Sequence, residues 1–196
     1  MTRAGLTPAV VVAEAAAVAD ELGFDAITVS AVARRLGVQS ASLYAHVRDR
    51  GALLDGVTAL AMAEIAARMA PAIAGRSGRD ALRGYADSYR DYAREFPGRW
   101  AALQRRAGPA AVASTAAVDV VALTDAVLRG YAIPDTERVH VVRLLGATIN
   151  GFVTLEQIGS LDHRAPAPEQ SWDRAVDALD LLLRTWSALP AKDTPA

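Results

Sequence analysis

The 196-residue sequence contains no cysteine, which excludes thiol catalysis, thiolate metal sites and disulfide crosslinks. Its three histidines, His46, His140 and His163, are scattered along the chain and lack the spacing of metal ligands. No stretch has the spacing of a phosphate-binding loop. We therefore expect no metal, no cofactor and no catalytic residue. The sequence favours a protein that is not an enzyme, and a helical enzyme is the alternative from a different class.

Long uncharged apolar runs are also absent, because none reaches the roughly 18 residues that a membrane span needs. The first residues show no charged-then-apolar signal pattern, so we expect a cytoplasmic protein with no membrane partner. The formal net charge of −1 at pH 7 means that the chain as a whole does not suit a polyanion, and any nucleic-acid surface must be local. One such stretch exists between residues 34 and 50, where four arginines and one aspartate give a local balance of +3.

Nearly all of the sequence repeats with the period of an α-helix, which predicts an all-α fold. Thr7 is predicted to cap the first helix, since Pro8 follows it at the first helical position. A later helix is predicted to end at Pro71, and residues 110–129 are predicted to form a single helix. Ser171 is predicted to cap the last helix.

Two short helices near the N-terminus fit a helix-turn-helix. Thr28 is predicted to cap the first of them, and Gly37 permits the sharp reversal that follows it. Ser40 is predicted to cap the next helix, which should run to about Val47. At 1.5 Å per residue this helix is roughly 10 Å long, enough to enter a major groove about 12 Å wide.

The helix after Ser40 is predicted to bury Leu43 and Val47 and to leave its polar side chains outside. Ser42 and Ala41 suit base edges, whereas the other outer groups suit backbone phosphates. From spacing alone, the alternative is a merely polar surface turn over residues 40–50. The candidate DNA-binding residues are Thr28, Ser30, Ser40, Ala41, Ser42, Tyr44, His46 and Arg50.

One block of the sequence resembles, almost position by position, the helix-turn-helix of TetR-family transcriptional regulators: ITVSAVARRLGVQSASLYAHVRDRGALLDGV, residues 27–57. The resemblance implies a homodimer that binds a palindromic operator in double-stranded DNA. It also implies a small-molecule effector that governs binding, with repression as the family's commoner outcome. Two positions depart from the family pattern, since Val47 replaces the commoner phenylalanine and Arg50 the commoner lysine. An arginine can bind a phosphate bidentately.

The stretch RLLGATINGFVTLEQIG resembles a C-terminal domain class of these regulators that is named for a Trp-His-Gly signature. Asn150-Gly151 stands where His-Gly is usual, and the preceding turn has no tryptophan. The roles of the signature residues therefore do not transfer to this chain. The resemblance implies a helix-turn-helix domain over residues 1–50 and a larger helical domain for effector binding and dimerisation over residues 51–196.

The larger domain carries polar and aromatic groups at helical spacing that suit either a packed core or a ligand pocket. Buried tyrosine hydroxyls need partners, which a cavity with a few polar groups would supply. Gly146 and Gly151 lie in mid-helix at a cost of about 1 kcal/mol each, which either close helix approach or a ligand against the backbone would explain. The candidate ligand-binding residues are Tyr85, Tyr89, Tyr92, Trp100, Asn150, Phe152 and Thr154.

Two further features of the larger domain leave alternatives open. Glu156 and Asn150 are polar groups on an otherwise apolar helix, and they suit either a ligand or hydrogen bonds across a subunit boundary. The last helix is apolar over a wide face, so it pairs with the helix before it in a four-helix interface about a two-fold axis, or packs wholly inside its own subunit. The sequence thus predicts a ligand-responsive repressor, and the alternative is a constitutive DNA-binding protein without an effector.

Overall fold

The computed structural model describes residues 5–188, which form ten α-helices and three 3₁₀ turns without a β-strand. The all-α prediction is therefore confirmed. The helices are α1 (Pro8–Leu22), α2 (Val29–Leu36), α3 (Ser40–Leu43), α4 (Arg50–Ile73), α5 (Gly78–Glu95), α6 (Pro97–Leu103), α7 (Pro109–Val112), α8 (Thr115–Leu128), α9 (Arg138–Gln157) and α10 (Pro168–Arg184). The 3₁₀ turns are Phe24–Ala26, Asp135–Glu137 and Trp186–Ala188.

The chain divides into two compact units that interleave along the sequence. The first unit comprises residues up to Ala67 together with Asp91–Val121, and the second comprises Arg68–Arg90 together with residues from Ala122 onward. Three helices, α4, α5 and α8, therefore contribute residues to both units. The division into domains 1–50 and 51–196 stays a prediction.

The first unit is built on the apolar faces of α1, α2, α3 and the start of α4. Val11, Val32 and Leu43 are fully buried in this core, together with Leu53 of α4. α1 begins as predicted, because the Thr7 Oγ1 accepts a hydrogen bond from the Val10 amide at 3.2 Å. The helical period of the sequence thus places three short helices around one core.

α4 is the one helix among residues 5–188 that is long and apolar enough to cross a membrane, with a mean hydropathy of 1.3 over an 18-residue stretch. Its Leu53 and Val57 are nevertheless fully buried in the core of the first unit. Its Glu64 accepts a hydrogen bond from the Tyr92 hydroxyl at 2.6 Å. The length and apolar composition of α4 are therefore explained by its packing in the first unit.

The second unit packs α9 and α10 through one apolar stripe on each helix. Val141, Leu145, Ile149 and Val153 are the buried residues of α9. The buried apolar residues of α10 are Trp172, Val176, Leu179 and Leu183. The buried residues of α9 are four positions apart, and the buried apolar residues of α10 are three or four apart, which is the spacing of an amphipathic helix.

Three predicted helix limits are wrong. α4 continues through Pro71 to Ile73, so Pro71 lies in the last turn, where its missing N–H costs the helix one hydrogen bond without ending it. Residues 110–129 form two helices, since Ser114 interrupts them and its Oγ accepts from the Ala117 amide at 3.2 Å. α10 starts at Pro168, which lacks the N–H that the first helical position does not need, so Ser171 lies inside the helix.

Candidate nucleic-acid interface

The turn between α2 and α3 is held by the residues that the sequence pattern indicated. The Thr28 Oγ1 accepts a hydrogen bond from the Ala31 amide at 3.0 Å and so caps α2. Gly37 ends α2 in the left-handed conformation, with φ of 67°, where a side chain would be strained. The Val38 amide then donates to the Ala33 carbonyl at 3.0 Å, which completes the reversal.

α3 is shorter than predicted and has a different cap. It covers Ser40–Leu43, and a turn over residues 44–46 replaces the remaining predicted helix. Gln39 is the N-cap, without a side-chain hydrogen bond, so the prediction that Ser40 caps this helix is wrong. Two amides after the helix, those of His46 and Val47, donate to the same Leu43 carbonyl, at 2.8 and 2.9 Å. This shared acceptor tightens the chain into a turn.

The outer and inner faces of α3 and its turn separate as predicted. Leu43 is fully buried and Val47 is 7% exposed, so both anchor the element to the core. Tyr44 is 57% exposed although it is a large aromatic residue. Of the other candidates, Thr28, Ser30, Ala41, Ser42 and Arg50 are exposed, and Ser40 and His46 are half-buried. Five of the eight candidates therefore lie on α3 or the turn after it, and the other three lie at the start of α2 or of α4.

The basic stretch of residues 34–50 is less basic in space than in sequence. The Arg35 Nη2 donates to Glu21 at 2.9 Å, and its other nitrogens bind Glu21 and Glu14, both of α1. Hydrogen bonding to the Arg35 guanidinium lowers the pKa of the Glu21 carboxyl. Arg35 therefore joins α2 to α1. Arg34, by contrast, is exposed and has no ion-pair partner within residues 5–188.

Arg50 and Asp49 organise the start of α4. The Asp49 Oδ1 accepts from the Ala52 amide at 2.8 Å, and this backbone hydrogen bond is the main cause that lowers the pKa of its carboxyl. The Arg50 Nε donates to the Ile27 carbonyl at 2.7 Å, and its Nη2 donates to the Asp25 carbonyl at 3.4 Å. The guanidinium of Arg50 thus ties the start of α4 to the residues just before α2.

The seven candidate ligand-binding residues are divided between the two units. Tyr92 and Trp100 belong to the first unit, where both are almost completely buried. The Tyr92 hydroxyl donates to Glu64 Oε2 at 2.6 Å, and burial is the main cause that raises its pKa. Its ring lies 5.3 Å from that of Phe96. These contacts place Tyr92 in a packed interior.

Tyr85 and Tyr89 lie on α5 within the second unit and pack against each other edge to face, with ring centroids 5.2 Å apart. The Thr124 Oγ1 donates to the Tyr85 hydroxyl at 3.4 Å. Burial raises the pKa of both tyrosine hydroxyls. Both groups therefore stay protonated and neutral at physiological pH.

Of the candidates on α9, Asn150 and Phe152 are half-buried and Thr154 is exposed. The Phe152 ring lies 5.1 Å from that of Trp172. Glu156, on the same helix, accepts a hydrogen bond from the Arg90 Nε at 2.9 Å within its own chain. Arg90 was missed by sequence reasoning because arginines are mostly exposed, and nothing in the periodicity of α5 marks this one as buried.

Gly146 and Gly151 have open space beside them. Within residues 5–188, a Cβ atom added to Gly151 would meet no neighbouring atom within 4 Å, and one added to Gly146 would meet only the Asn150 side chain at 3.9 Å. Close approach of a helix from the same chain therefore does not explain either glycine.

Sequence reasoning also missed a groove of about 620 Å³ in the first unit, which none of the candidate ligand-binding residues lines. No periodic pattern could have indicated it, because its residues belong mainly to a loop. They are Arg106, Ala107, Gly108, Pro109 and Val112.

Two family models match the chain. Residues 11–57 match the model described as bacterial regulatory proteins, tetR family. Residues 82–179 match the model described as tetracyclin repressor-like, C-terminal domain. Both halves of the sequence thus carry the same family assignment.

Two curated proteins are similar in sequence. An uncharacterised HTH-type transcriptional regulator of Mycobacterium tuberculosis is 32% identical over 149 residues, which are 73% of this chain and 66% of that protein. The tetracycline repressor protein class A from transposon 1721 of Escherichia coli is 35% identical over 103 residues, 47% of this chain and 48% of that repressor.

Two solved structures show the same fold. Apo ActR from Streptomyces coelicolor has a TM-score of 0.76 at 19% identity, covering 96% of this chain and 99% of that chain. A TetR variant from Acinetobacter baumannii in complex with minocycline has a TM-score of 0.67 at 23% identity, covering 95% of this chain and 99% of that chain. The chain belongs to the TetR family and is a helix-turn-helix transcriptional regulator.

Proposed function

We propose that this regulator binds a palindromic operator as a homodimer, acts as a repressor, and is released from DNA by a small-molecule effector. It does so in the cytoplasm and without enzymatic activity. One observation carries the proposal: Tyr44 and Ser42 are exposed beside a helix whose Leu43 is fully buried. These outward hydroxyl groups, on an element that Leu43 fixes to the core, suit the base edges and phosphates of duplex DNA.

The proposed DNA contacts follow from the side chains that α3 and its neighbours expose. Ser42 and Ala41 read base edges, because a hydroxyl bonds to either kind of edge and an alanine contacts a thymine methyl group. The remaining residues of the interface position the chain on phosphates and carry no sequence information. They are Thr28, Ser30, Ser40, Tyr44, His46 and Arg50.

The proposed dimer is supported by apolar residues that α9 leaves in solvent. Val139, Val142 and Leu155 of α9 are exposed, and Ile158, just after the helix, reaches 67%. Leu181 of α10 is 64% exposed. An apolar surface of this kind suits another protein surface. Two copies of α3 must also lie about 34–36 Å apart to meet successive major grooves.

The effector is proposed to bind among the residues of the larger domain, with Tyr85, Tyr89, Tyr92, Trp100, Asn150, Phe152 and Thr154 as the candidate contacts. A relative bound to minocycline and a tetracycline repressor among the similar proteins support an effector of this general kind. Effector binding would favour a form in which the two copies of α3 are wrongly spaced for DNA. α4 suits the transmission of this change because it contributes residues to both units.

Tyr44→Ala tests the proposal directly. The probe is a duplex selected with the purified protein from random-sequence DNA, and binding is followed by fluorescence anisotropy. We expect the variant to bind this duplex at least tenfold more weakly, roughly 1.4 kcal/mol, while its sedimentation as a dimer is unchanged. Equal affinity of variant and parent would refute the assigned interface.

A constitutive DNA-binding protein without an effector is the second candidate. It is favoured by the packing of the tyrosines, because the hydroxyls of Tyr85 and Tyr92 already have protein partners. Thermal unfolding in the presence of a library of small molecules separates the two functions. A compound that raises the unfolding temperature and weakens DNA binding supports an effector, and a library without one supports constitutive binding.

A further inference from the structure

α6 and the loop that follows it, residues 97–108, are fixed to the helix-turn-helix within the first unit. We call these residues the α6 segment. Gly98 lies directly on the backbone of α1, since a Cβ atom there would overlap the Ala19 carbonyl group. The next amide, that of Arg99, donates to Asp20 Oδ1 at 2.9 Å. The first half of the segment therefore cannot shift without α1.

The second half of the α6 segment is fixed by its loop. The Arg105 Nη1 donates to Asp25 Oδ1 at 3.2 Å, and the same guanidinium lies 5.3 Å from the centre of the Phe24 ring. The Gly108 amide donates to Asp55 Oδ1 of α4 at 3.2 Å. With anchors on α1, on the 3₁₀ turn and on α4, the loop keeps a constant position relative to the helix-turn-helix.

Two guanidinium groups meet at Asp25. Arg105 binds its carboxylate, and Arg50, a candidate phosphate contact, binds its carbonyl oxygen at 3.4 Å. Thr28, another candidate phosphate contact, lies only three residues further along the chain. Arg106 follows Arg105, is exposed, and has no ion-pair partner in the part of the chain that the structure describes.

We propose that Arg106, assisted by Arg105, binds phosphates of the DNA backbone beyond those that the helix-turn-helix contacts. A guanidinium suits this role because its fork of donors matches a phosphate. Arg105 also neutralises the Asp25 carboxylate, which would otherwise repel the nearby DNA. The inference rests on the proposed function and adds a segment far along the sequence to the DNA-binding surface.

The salt dependence of binding tests this role. The slope of log K against log salt concentration is negative, and its magnitude falls by about 0.9 for every phosphate that the protein no longer neutralises. The probe is a labelled duplex of about 40 base pairs, longer than two half-sites need. A homodimer of Arg106→Ala leaves two phosphates without their cations, so we expect the slope to fall by nearly 2. Arg106→Lys keeps the charge and should retain most of the slope.

Arg129→Ala is the matched control, since Arg129 is an exposed arginine of the second unit without an ion-pair partner in the described residues. Circular dichroism of each variant verifies the fold. The same slope for Arg106→Ala and Arg129→Ala overturns the inference while leaving the proposed function intact. A parent protein that binds no duplex at low salt overturns both.

Asp25→Asn supplies an independent measurement on the same contact. Removing the carboxylate frees Arg105 and removes a negative charge beside the DNA, so we expect tighter binding of the same duplex and a steeper salt dependence. Weaker binding, with the fold intact, would show that the Arg105–Asp25 pair matters to DNA binding only by holding the loop in place, and would overturn the electrostatic part assigned to Arg105.

Discussion

The helix-turn-helix and helix α9 differ in the apolar side chains that they leave in solvent. α3 and its turn expose hydroxyl groups and one large aromatic residue, Tyr44, whereas α9 exposes two valines and a leucine among polar residues, with exposed Ile158 just after it. The inner faces are alike, since Leu43 of α3 and Val153 of α9 are both fully buried. The difference therefore lies in the partner that each outer face suits. A polar face suits duplex DNA, and an apolar face suits another subunit.

The ion pairs of Arg35 and Arg90 differ in how deeply they are buried. Arg35 of the first unit binds two carboxylates at the surface, with about a third of its side chain exposed. Arg90 of the second unit is 7% exposed, and its partner Glu156 is 12% exposed. A surface pair contributes little to stability, whereas a buried charge that loses its partner is costly. Substitutions at the two pairs should therefore differ strongly in effect.

The largest effect is expected from Glu156→Ala, which leaves the Arg90 guanidinium buried without its main carboxylate. We expect the free energy of unfolding to fall by about 3 kcal/mol, measured by urea denaturation. Glu169→Ala is the control, because this exposed carboxylate lies 3.6 Å from the Arg90 Nη2 and should cost less than about 1 kcal/mol. Equal losses of unfolding free energy in the two variants would contradict the expectation that the buried pair contributes more to stability than the surface pair.

Gly146→Leu sharpens the contrast between the two outer faces. A Cβ atom at Gly146 meets only the Asn150 side chain of the described residues, at 3.9 Å, and leucine favours the helix more than glycine does. If the partner subunit approaches α9 at this glycine, the added side chain should weaken dimerisation by about 2 kcal/mol, seen by analytical ultracentrifugation.

The control for Gly146→Leu is Ala122→Leu, at an exposed alanine of α8. This variant should dimerise like the parent. Unchanged dimerisation of Gly146→Leu would show that the apolar face of α9 is not in contact with a second copy at this position, and that another surface joins the subunits.

Much of the helix-turn-helix could be predicted from the sequence because its determinants are local. Thr28 caps the helix that begins one residue later, and Gly37 ends it, so both signals lie beside the structure that they cause. The length of α3 could not be predicted in this way. α3 ends where the amides of two later residues share the Leu43 carbonyl. No sequence pattern in the turn predicts this arrangement.

The remaining features escaped prediction because they join residues distant in sequence. Arg35 was counted as a free cation, but Glu21 of α1 lies 14 positions away and neutralises it. The α6 segment is about 80 positions from Asp25, which it binds. The glycine at position 98 is explained only by the backbone of Ala19 beneath it. The helical period of the sequence shows which face of a helix is buried, but it does not show which other element that face packs against.

A smaller effect is expected from Ser42→Ala, which tests whether the polar face of α3 reads sequence. The variant loses one hydroxyl, so we expect a change in preference of about 1 kcal/mol at a single base pair in each half-site. Binding to systematic variants of the selected duplex measures this preference. The salt dependence should stay that of the parent, because the variant keeps every cation that faces a phosphate. Identical preferences of Ser42→Ala and parent would mean that this hydroxyl does not face a base.

The smallest effect is expected from Glu21→Gln, at the surface pair of the first unit. The Arg35 guanidinium holds the pKa of Glu21 below its ordinary value of 4.5, so the folded protein binds this proton less readily than the unfolded chain. The stabilisation is therefore fully present above pH 4.5 and is lost as the pH falls through the lowered pKa. We expect parent and variant to differ in free energy of unfolding at neutral pH and to converge in acid.

Asp119→Asn, at an exposed carboxylate without an ion-pair partner in the described residues, should show no such convergence. A difference for Glu21→Gln that persists unchanged in acid would mean that the pair stabilises the first unit by packing and not by charge.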